Sequence, residues 1–177
     1  MRHVRHGILA FIATAALALG VSATARADEE EVKESDVPKA VIGTLKKKYP
    51  TASLREFSRD SEAGKVTYEV EVEDGKRRID VELSPEGKIL IEEEKVSLDA
   101  VPERVKKALA ASKYAKATAK KVEKVTTEEK ADTESYEFHL VDGEKRFEVV
   151  FDRDGKIVKE EEKKAKDEEE DEEDERD

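Results

Sequence analysis

Acidic side chains on predicted strands are the main candidates for chemistry in this sequence. Residues 66–73 alternate apolar with mostly acidic side chains, which is the pattern of a strand with one buried and one solvated face. The predicted pairing of strands brings Glu69 opposite Asp80, and Glu137 opposite Glu148. Like charges that face each other across strands are unfavourable. Because they recur here at equivalent positions, we expect the polar face to receive cations or the Lys and Arg side chains of a partner.

The predicted partner-binding residues are Glu69, Glu71, Asp80, Glu82, Glu137 and Glu148, of which Glu69, Asp80, Glu137 and Glu148 are also weak candidates for metal ligands. The alternative interpretation is an ordinary solvated face. In that case, the nearby Lys65, Lys76 and Arg78 compensate its charge.

Catalytic groups are not indicated by the sequence. His139 is the only histidine outside the first 27 residues, and we predict it on the polar strand face opposite Arg146. We interpret it as a solvated residue, because no serine or cysteine nucleophile motif accompanies it and one imidazole makes a poor transition-metal site. Carboxylates are too numerous to indicate acid–base catalysis. We therefore predict no enzymatic activity and no cofactor, with weak Ca²⁺ binding left open.

Two tight turns define the predicted hairpins that carry these acids. Asp74-Gly75 and Asp142-Gly143 are typical of the two central residues of a type I′ turn, which both need positive φ. With these turns, Val70 faces Ile79 and Phe138 faces Phe147. A slip of one residue would turn every side chain to the wrong face, so the agreement in both places favours the hairpins.

An internal repeat sets the predicted fold. Val37-Pro38 returns as Val101-Pro102, and each copy begins with apolar residues at the spacing of one helix face. Gly43 lies inside the first helix, where we expect it to allow close approach to the sheet. The predicted class is α+β, with two tandem repeats that each pack one helix on a four-stranded antiparallel meander sheet. Because about 60 residues make a marginal core, we expect the copies to pack together or share a continuous surface.

The chain ends are predicted to lie outside these repeats. Arg2 and Arg5 precede an apolar run, and Ala25-Arg26-Ala27 has small residues where signal peptidase cleaves. The predicted segments are a signal peptide at 1–27, an acidic linker at 28–35, repeats at 36–96 and 97–162, and a disordered acidic tail at 163–177.

Composition excludes several classes of protein. The net charge of −11 argues against binding nucleic acid or anionic membranes, which need basic surfaces. The absence of cysteine excludes disulfides, thiol chemistry and lipoprotein anchoring. Residues 167–177 include ten acids that favour solubility, weak Ca²⁺ binding or attraction of a basic protein. No membrane span is expected after cleavage of the signal, and we expect a monomer.

The order of these motifs resembles the PepSY-like family of exported bacterial domains. The resemblance covers residues 36–161 and is carried by Val37-Pro38 to Tyr49-Pro50, by Ser84-Pro85-Glu86-Gly87-Lys88-Ile89, and by Asp152 to Ile157. It implies a periplasmic or secreted, non-enzymatic domain, linked in some relatives to inhibition of proteases or β-lactamases. The tandem arrangement is similar to that of β-lactamase inhibitory proteins, which carry disulfides and an aromatic-rich binding face that this chain lacks.

Two functions follow as expectations from the sequence. The first is an exported, non-enzymatic binding module, with enzyme inhibition as one form of its activity, that offers an acidic sheet surface to a basic or cation-bearing protein. The alternative is a periplasmic acidic protein that binds or buffers divalent cations.

Overall fold

The described chain consists mainly of β-strands. The computed structural model describes residues 30–62, 64–127 and 134–163. The predicted signal peptide lies outside these ranges, as does the predicted acidic tail except for Lys163, which ends the last strand. The elements are β1 (Glu30–Val32), α1 (Lys39–Lys48), β2 (Ser53–Glu62), β3 (Lys65–Asp74), β4 (Arg77–Leu83), β5 (Ile89–Lys95), α2 (Glu103–Ala111), β6 (Thr118–Thr127), β7 (Glu134–Asp142), β8 (Lys145–Asp152) and β9 (Ile157–Lys163).

All nine strands belong to one antiparallel sheet, in the order in which they occur in the chain. The prediction of two repeats that each have a separate four-stranded sheet is therefore wrong. Strands β5 and β6 pair from Ile91 with Thr127 to Lys95 with Glu123, and β1 adds a ninth strand from the predicted linker. Joining the two halves removes two exposed strand edges, whose unpaired backbone groups invite association with other chains.

The hairpin turns lie one residue later than predicted. Asp74 pairs with Arg77 and Asp142 with Lys145, so the loop residues are Gly75-Lys76 and Gly143-Glu144. The glycines have φ of 67° and 64°, and positive φ at the first loop position alone is typical of a type II′ turn. The register changes by two residues. The predicted faces are therefore retained, but the predicted partners are wrong: Val70 faces Val81, and Phe138 faces Val149.

Each half of the sheet carries two register irregularities at equivalent places. They fall at Glu56 in β2 and Lys120 in β6, and at Leu90 in β5 and Val158 in β9. A bulge inserts one unpaired residue and reverses the alternation beyond it. Beyond the bulge at Lys120, the side chains of β6 therefore lie on the opposite faces from those that unbroken alternation along the strand would give.

Both helices pack on one face of the sheet and form two apolar clusters. Val41 and Leu45 of α1 are fully buried against β3 and β4, and Val105 of α2 is fully buried against β6, β7 and β8. The rings of Phe138 and Phe151 pack edge to face, with centroids 5.6 Å apart. Within the described ranges, neither helix has the length and apolar character needed to cross a membrane.

Turn glycines hold the helices against the sheet. A Cβ atom at Gly87 would lie 2.5 Å from the carbonyl oxygen of Ala40, and φ there is +81°. The Thr44 hydroxyl donates to the Gly87 carbonyl at 2.8 Å. Gly43, in contrast, has open space where a Cβ would lie, so the expectation that it allows close approach to the sheet is wrong.

A tyrosine–glutamate contact ties the end of each helical segment to the last strand of the same half. The Tyr49 hydroxyl donates to Glu92, and Lys48 pairs with the same carboxylate at 2.6 Å. In the second half, the Tyr114 hydroxyl donates to Glu160 at 3.2 Å, and Lys113 pairs with Glu160 at 2.8 Å. Burial and the adjacent Glu92 raise the pKa of Tyr49, so its hydroxyl remains protonated and able to donate.

Candidate functional site: an acidic sheet face

The face of the sheet opposite the helices carries most of the ionisable side chains of the central strands. Alternation along β3, β4, β7 and β8 directs apolar residues to the helices and these side chains to the other face. We call this surface the acidic face, and its members are Glu69, Glu71, Asp80, Glu82, Glu93, Glu123, Glu137, His139 and Glu148.

The first-half acids come from β3 and β4. Glu71 lies opposite Asp80, and Glu69 lies opposite Glu82. The predicted pairing of Glu69 with Asp80 is wrong, but all four predicted partner-binding residues share one face and form two like-charge pairs. Glu69, Asp80 and Glu82 are half-buried. Burial raises the pKa of Glu82, and the nearby Asp60 adds to that rise although a hydrogen bond from Thr67 opposes it.

Glu93 of β5 lies near the junction of the two halves and was not predicted as a site residue. It is directly opposite Asp80 on one side and Val125 on the other. Its Oε1 atom is enclosed, with no hydrogen-bond partner in the described part of the chain. Burial raises the pKa of Glu93 well above its ordinary value, and the neighbouring charges of Glu123 and Glu137 raise it further.

The second half buries its ionisable groups more deeply than the first. Glu123 and Glu137 are each 1% exposed and lie opposite each other on β6 and β7. His139 Nε2 lies 3.2 Å from Glu123 Oε2 and 3.8 Å from Glu137 Oε1. These groups form a compact cluster in which one imidazole contacts carboxylates from two strands.

Two lysines border this cluster. Lys121 Nζ lies 2.9 Å from Glu123 Oε1, and Lys163 Nζ lies 2.9 Å from Glu148 Oε2. Both lysines are on strands with a bulge, β6 and β9. They partly compensate the negative charge of Glu123 and Glu148, whereas Glu137 has His139 as its basic neighbour.

Burial and neighbouring charges together determine the pKa values of the cluster. Burial raises the pKa of Glu137, and the charge of Glu148 raises it further. Burial alone would raise the pKa of Glu123 and lower that of His139. For Glu123, the contacts with His139 and Lys121 outweigh burial, so its pKa falls. For His139, the contact with Glu123 outweighs burial, so its pKa rises.

The prediction for His139 is wrong in both respects. His139 lies opposite Glu148, not Arg146, which instead pairs with Val141. It is buried, at 6% exposure, and not solvated. Glu137 faces Val150, so its predicted pairing with Glu148 is also wrong. Both changes follow from the two-residue difference in the register of the β7–β8 hairpin.

Glu137, His139 and Glu148 nevertheless converge. Their ligand-type atoms all lie within 4.8 Å of one another, and all three residues are buried. Glu137 and Glu148 were predicted candidates, whereas His139 and Glu123 were not. The contribution of Glu123 depends on the bulge at Lys120 and on the pairing of β6 with β7, for which the sequence has no clear signal.

The fold of this chain is similar to that of several solved structures. No curated protein matches the chain. Among solved structures, a protein from Bacteroides eggerthii described as one of the "putative periplasmic proteins" has a TM-score of 0.62 and 21% identity, with 71% of this chain and 88% of that chain covered. A DUF2874 family protein from Bacteroides uniformis has a TM-score of 0.61 and 20% identity over 71% and 88% of the two chains.

A third similar structure, described as a BLIP-like protein from Bacteroides fragilis, has a TM-score of 0.58 and 20% identity, with 71% of this chain and 86% of that chain covered. The predicted exported location agrees with the periplasmic description of the B. eggerthii protein. A family model described as "Putative beta-lactamase-inhibitor-like, PepSY-like" matches residues 24–91 and again residues 89–159. These two matches cover most of the sequence, and the chain belongs to this PepSY-like family.

Proposed function

We propose that the protein is an exported, non-enzymatic binding module that presents the first half of its acidic face to a basic protein partner. The observation that carries this proposal is the cross-strand pairing of four acidic residues on β3 and β4, Glu69 with Glu82 and Glu71 with Asp80. The inhibitor-like description of the family supports a binding role. Inhibition of an enzyme is one form that such binding can take.

The like-charge pairs favour a cationic ligand on energetic grounds. Carboxylates that face each other across strands repel, and the repulsion decreases when Lys or Arg side chains approach both. Half-burial of Glu69, Asp80 and Glu82 leaves them within reach of a partner, unlike Glu137 in the second half. The single sheet also lets one partner extend along strands of both halves, since β5 and β6 are paired.

Neutralisation of the first-half acids tests the proposal. The variant Glu69→Gln/Glu71→Gln/Asp80→Asn/Glu82→Gln is immobilised beside the unchanged protein and exposed to a bacterial envelope extract at low salt. We expect the unchanged protein to retain a basic protein that elutes as salt increases, because screening weakens exposed ionic contacts. We expect the variant to retain less of that protein. The Kd of the purified partner for each form is then measured by calorimetry.

The matched control removes the same number of charges from the opposite side and ends of the molecule. It carries Glu34→Gln, Glu86→Gln, Asp99→Asn and Glu103→Gln, which all change exposed residues. If both variants lose the partner equally, net charge alone explains the binding and the proposed surface is refuted. If the acidic-face variant retains full affinity, the proposal is also refuted.

A further inference from the structure

We propose that Glu137, His139 and Glu148 form a binding site for one divalent transition-metal cation, with Glu123 as a fourth available ligand. This site lies in the second half of the acidic face. It does not depend on the proposed protein partner, which would use the half-buried acids of the first half. Its chemistry differs from that of weak, carboxylate-only calcium binding.

The distances within the cluster suit a metal ion with small adjustments of the side chains. Zn²⁺ binds His nitrogen and carboxylate oxygen at about 2.0–2.2 Å, so two of its ligands lie at most about 4 Å apart. His139 Nε2 is 3.8 Å from Glu137 Oε1 and 3.2 Å from Glu123 Oε2. The ligand atom of Glu148 lies within 4.8 Å of those of Glu137 and His139. Strands β7 and β8 therefore direct these three donors, Glu137, His139 and Glu148, towards one point.

An unsatisfied oxygen is the independent observation that points to a ligand. Glu137 is 1% exposed, and its Oε1 atom has no hydrogen-bond partner among the described residues. A buried carboxylate without a partner is costly, and buried charges are ordinarily paired or coordinate metals. The same Oε1 atom faces His139 Nε2. A cation between the two would satisfy the oxygen and offset the repulsion from Glu148.

The imidazole determines which class of cation fits. Ca²⁺ and Mg²⁺ bind through oxygen ligands, whereas imidazole suits Zn²⁺ and other first-row transition metals. One imidazole alone makes a poor site, but here buried carboxylates converge with it, and one nitrogen with two or three carboxylate oxygens is a donor set that Zn²⁺ accepts. We therefore expect Zn²⁺ to bind at this cluster, and we do not expect Ca²⁺ to coordinate His139.

Calorimetry and NMR with Zn²⁺ and Ca²⁺ test the site. The full chain carries His3→Gln and His6→Gln, so that His139 is its only imidazole. We expect one tightly bound Zn²⁺ per chain, above the weak binding common to exposed acids. The ¹⁵N resonances of the His139 ring should move on addition of Zn²⁺ and not of Ca²⁺. Either His139→Gln or Glu137→Gln should weaken Zn²⁺ binding at least tenfold, since even outer-shell changes cost about 10–100-fold.

Glu161→Gln is the matched control, because it removes one charge from the exposed residue opposite Glu148. We expect it to leave the Zn²⁺ affinity unchanged, and circular dichroism checks the fold of each variant. The ring resonances report on the unaltered site even if a ligand variant fails to fold. Zn²⁺ binding that persists in folded His139→Gln, or ring resonances that do not move at saturating Zn²⁺, would overturn the proposal.

Discussion

Replacement of Glu93 by glutamine should stabilise the protein at neutral and alkaline pH. Glu93 has an enclosed, unpartnered Oε1 atom, and burial together with Glu123 and Glu137 raises its pKa. The folded state therefore holds a proton on this group that the unfolded state has lost. Stability decreases as the pH rises from the unfolded pKa through the folded one. Glutamine has the same shape and no charge, and its amide can donate to the neighbouring carboxylates.

The expected gain follows from the environment of Glu93. An unsatisfied buried polar group costs about 1–3 kcal/mol, and more when it is charged. We therefore expect Glu93→Gln to increase the free energy of unfolding by about 1–3 kcal/mol at pH 8. For a chain of this size, each kcal/mol corresponds to roughly 2–4 °C in Tm. At pH 4, where the carboxyl is mostly protonated in both states, the difference should largely disappear.

Urea unfolding between pH 4 and pH 8, with a chelator present to keep the protein metal-free, measures this effect. The exposed control Glu161→Gln should change stability by less than about 0.5 kcal/mol. A Glu93→Gln protein that is no more stable at pH 8, or whose stability has the same pH slope as the unchanged protein, would refute the reasoning.

Three further predictions concern individual residues. Gly43→Ala should stabilise the protein by up to about 1 kcal/mol, since α1 has open space there. Gly87→Ala should destabilise it, because a Cβ there would meet Ala40 and φ is positive. Thermal unfolding measures both variants, and equal shifts in Tm would contradict this packing. Tyr114→Phe should cost about 0.5–1.5 kcal/mol through loss of its bond to Glu160, and no loss in urea unfolding would contradict that contact. In metal-free protein, an NMR titration should give His139 a pKa above its ordinary value. The contribution of its ion pair to stability should be lost as the pH rises through that pKa. A lowered pKa would mean that the effect of burial outweighs that of the contact with Glu123.

Local patterns predicted the elements better than their assembly. The one-face spacing of Val41 and Leu45 and the alternation along β3 correctly indicate a helix and a strand with one apolar face. The turns at Gly75 and Gly143 were also correctly located in outline. Their exact type was not, because Asp-Gly is compatible with more than one two-residue turn. The resulting two-residue error preserves faces but changes every cross-strand partner.

The candidate site was harder to predict because it depends on long-range pairing and on bulges. The acids of β3 and β4 were assigned to the correct face from alternation alone. Glu123 was not assigned to this face, because the bulge at Lys120 determines which face its side chain occupies. Burial of His139 was missed, since its predicted place on the polar face of the strand, opposite Arg146, suggested solvent exposure. Glu93 acquires its charged surroundings only through the pairing of β5 on both sides.

The union of β5 with β6 has a thermodynamic consequence for a duplicated chain. Unfolding of either half would leave backbone groups of β5 or β6 in the other half without their hydrogen-bond partners. Neither half can therefore unfold without destabilising the other. Tandem domains joined by a linker often unfold in separate steps. Here the backbone hydrogen bonds between β5 and β6 should make the two halves unfold in one cooperative transition. The duplicated units therefore behave as a single cooperative folding unit.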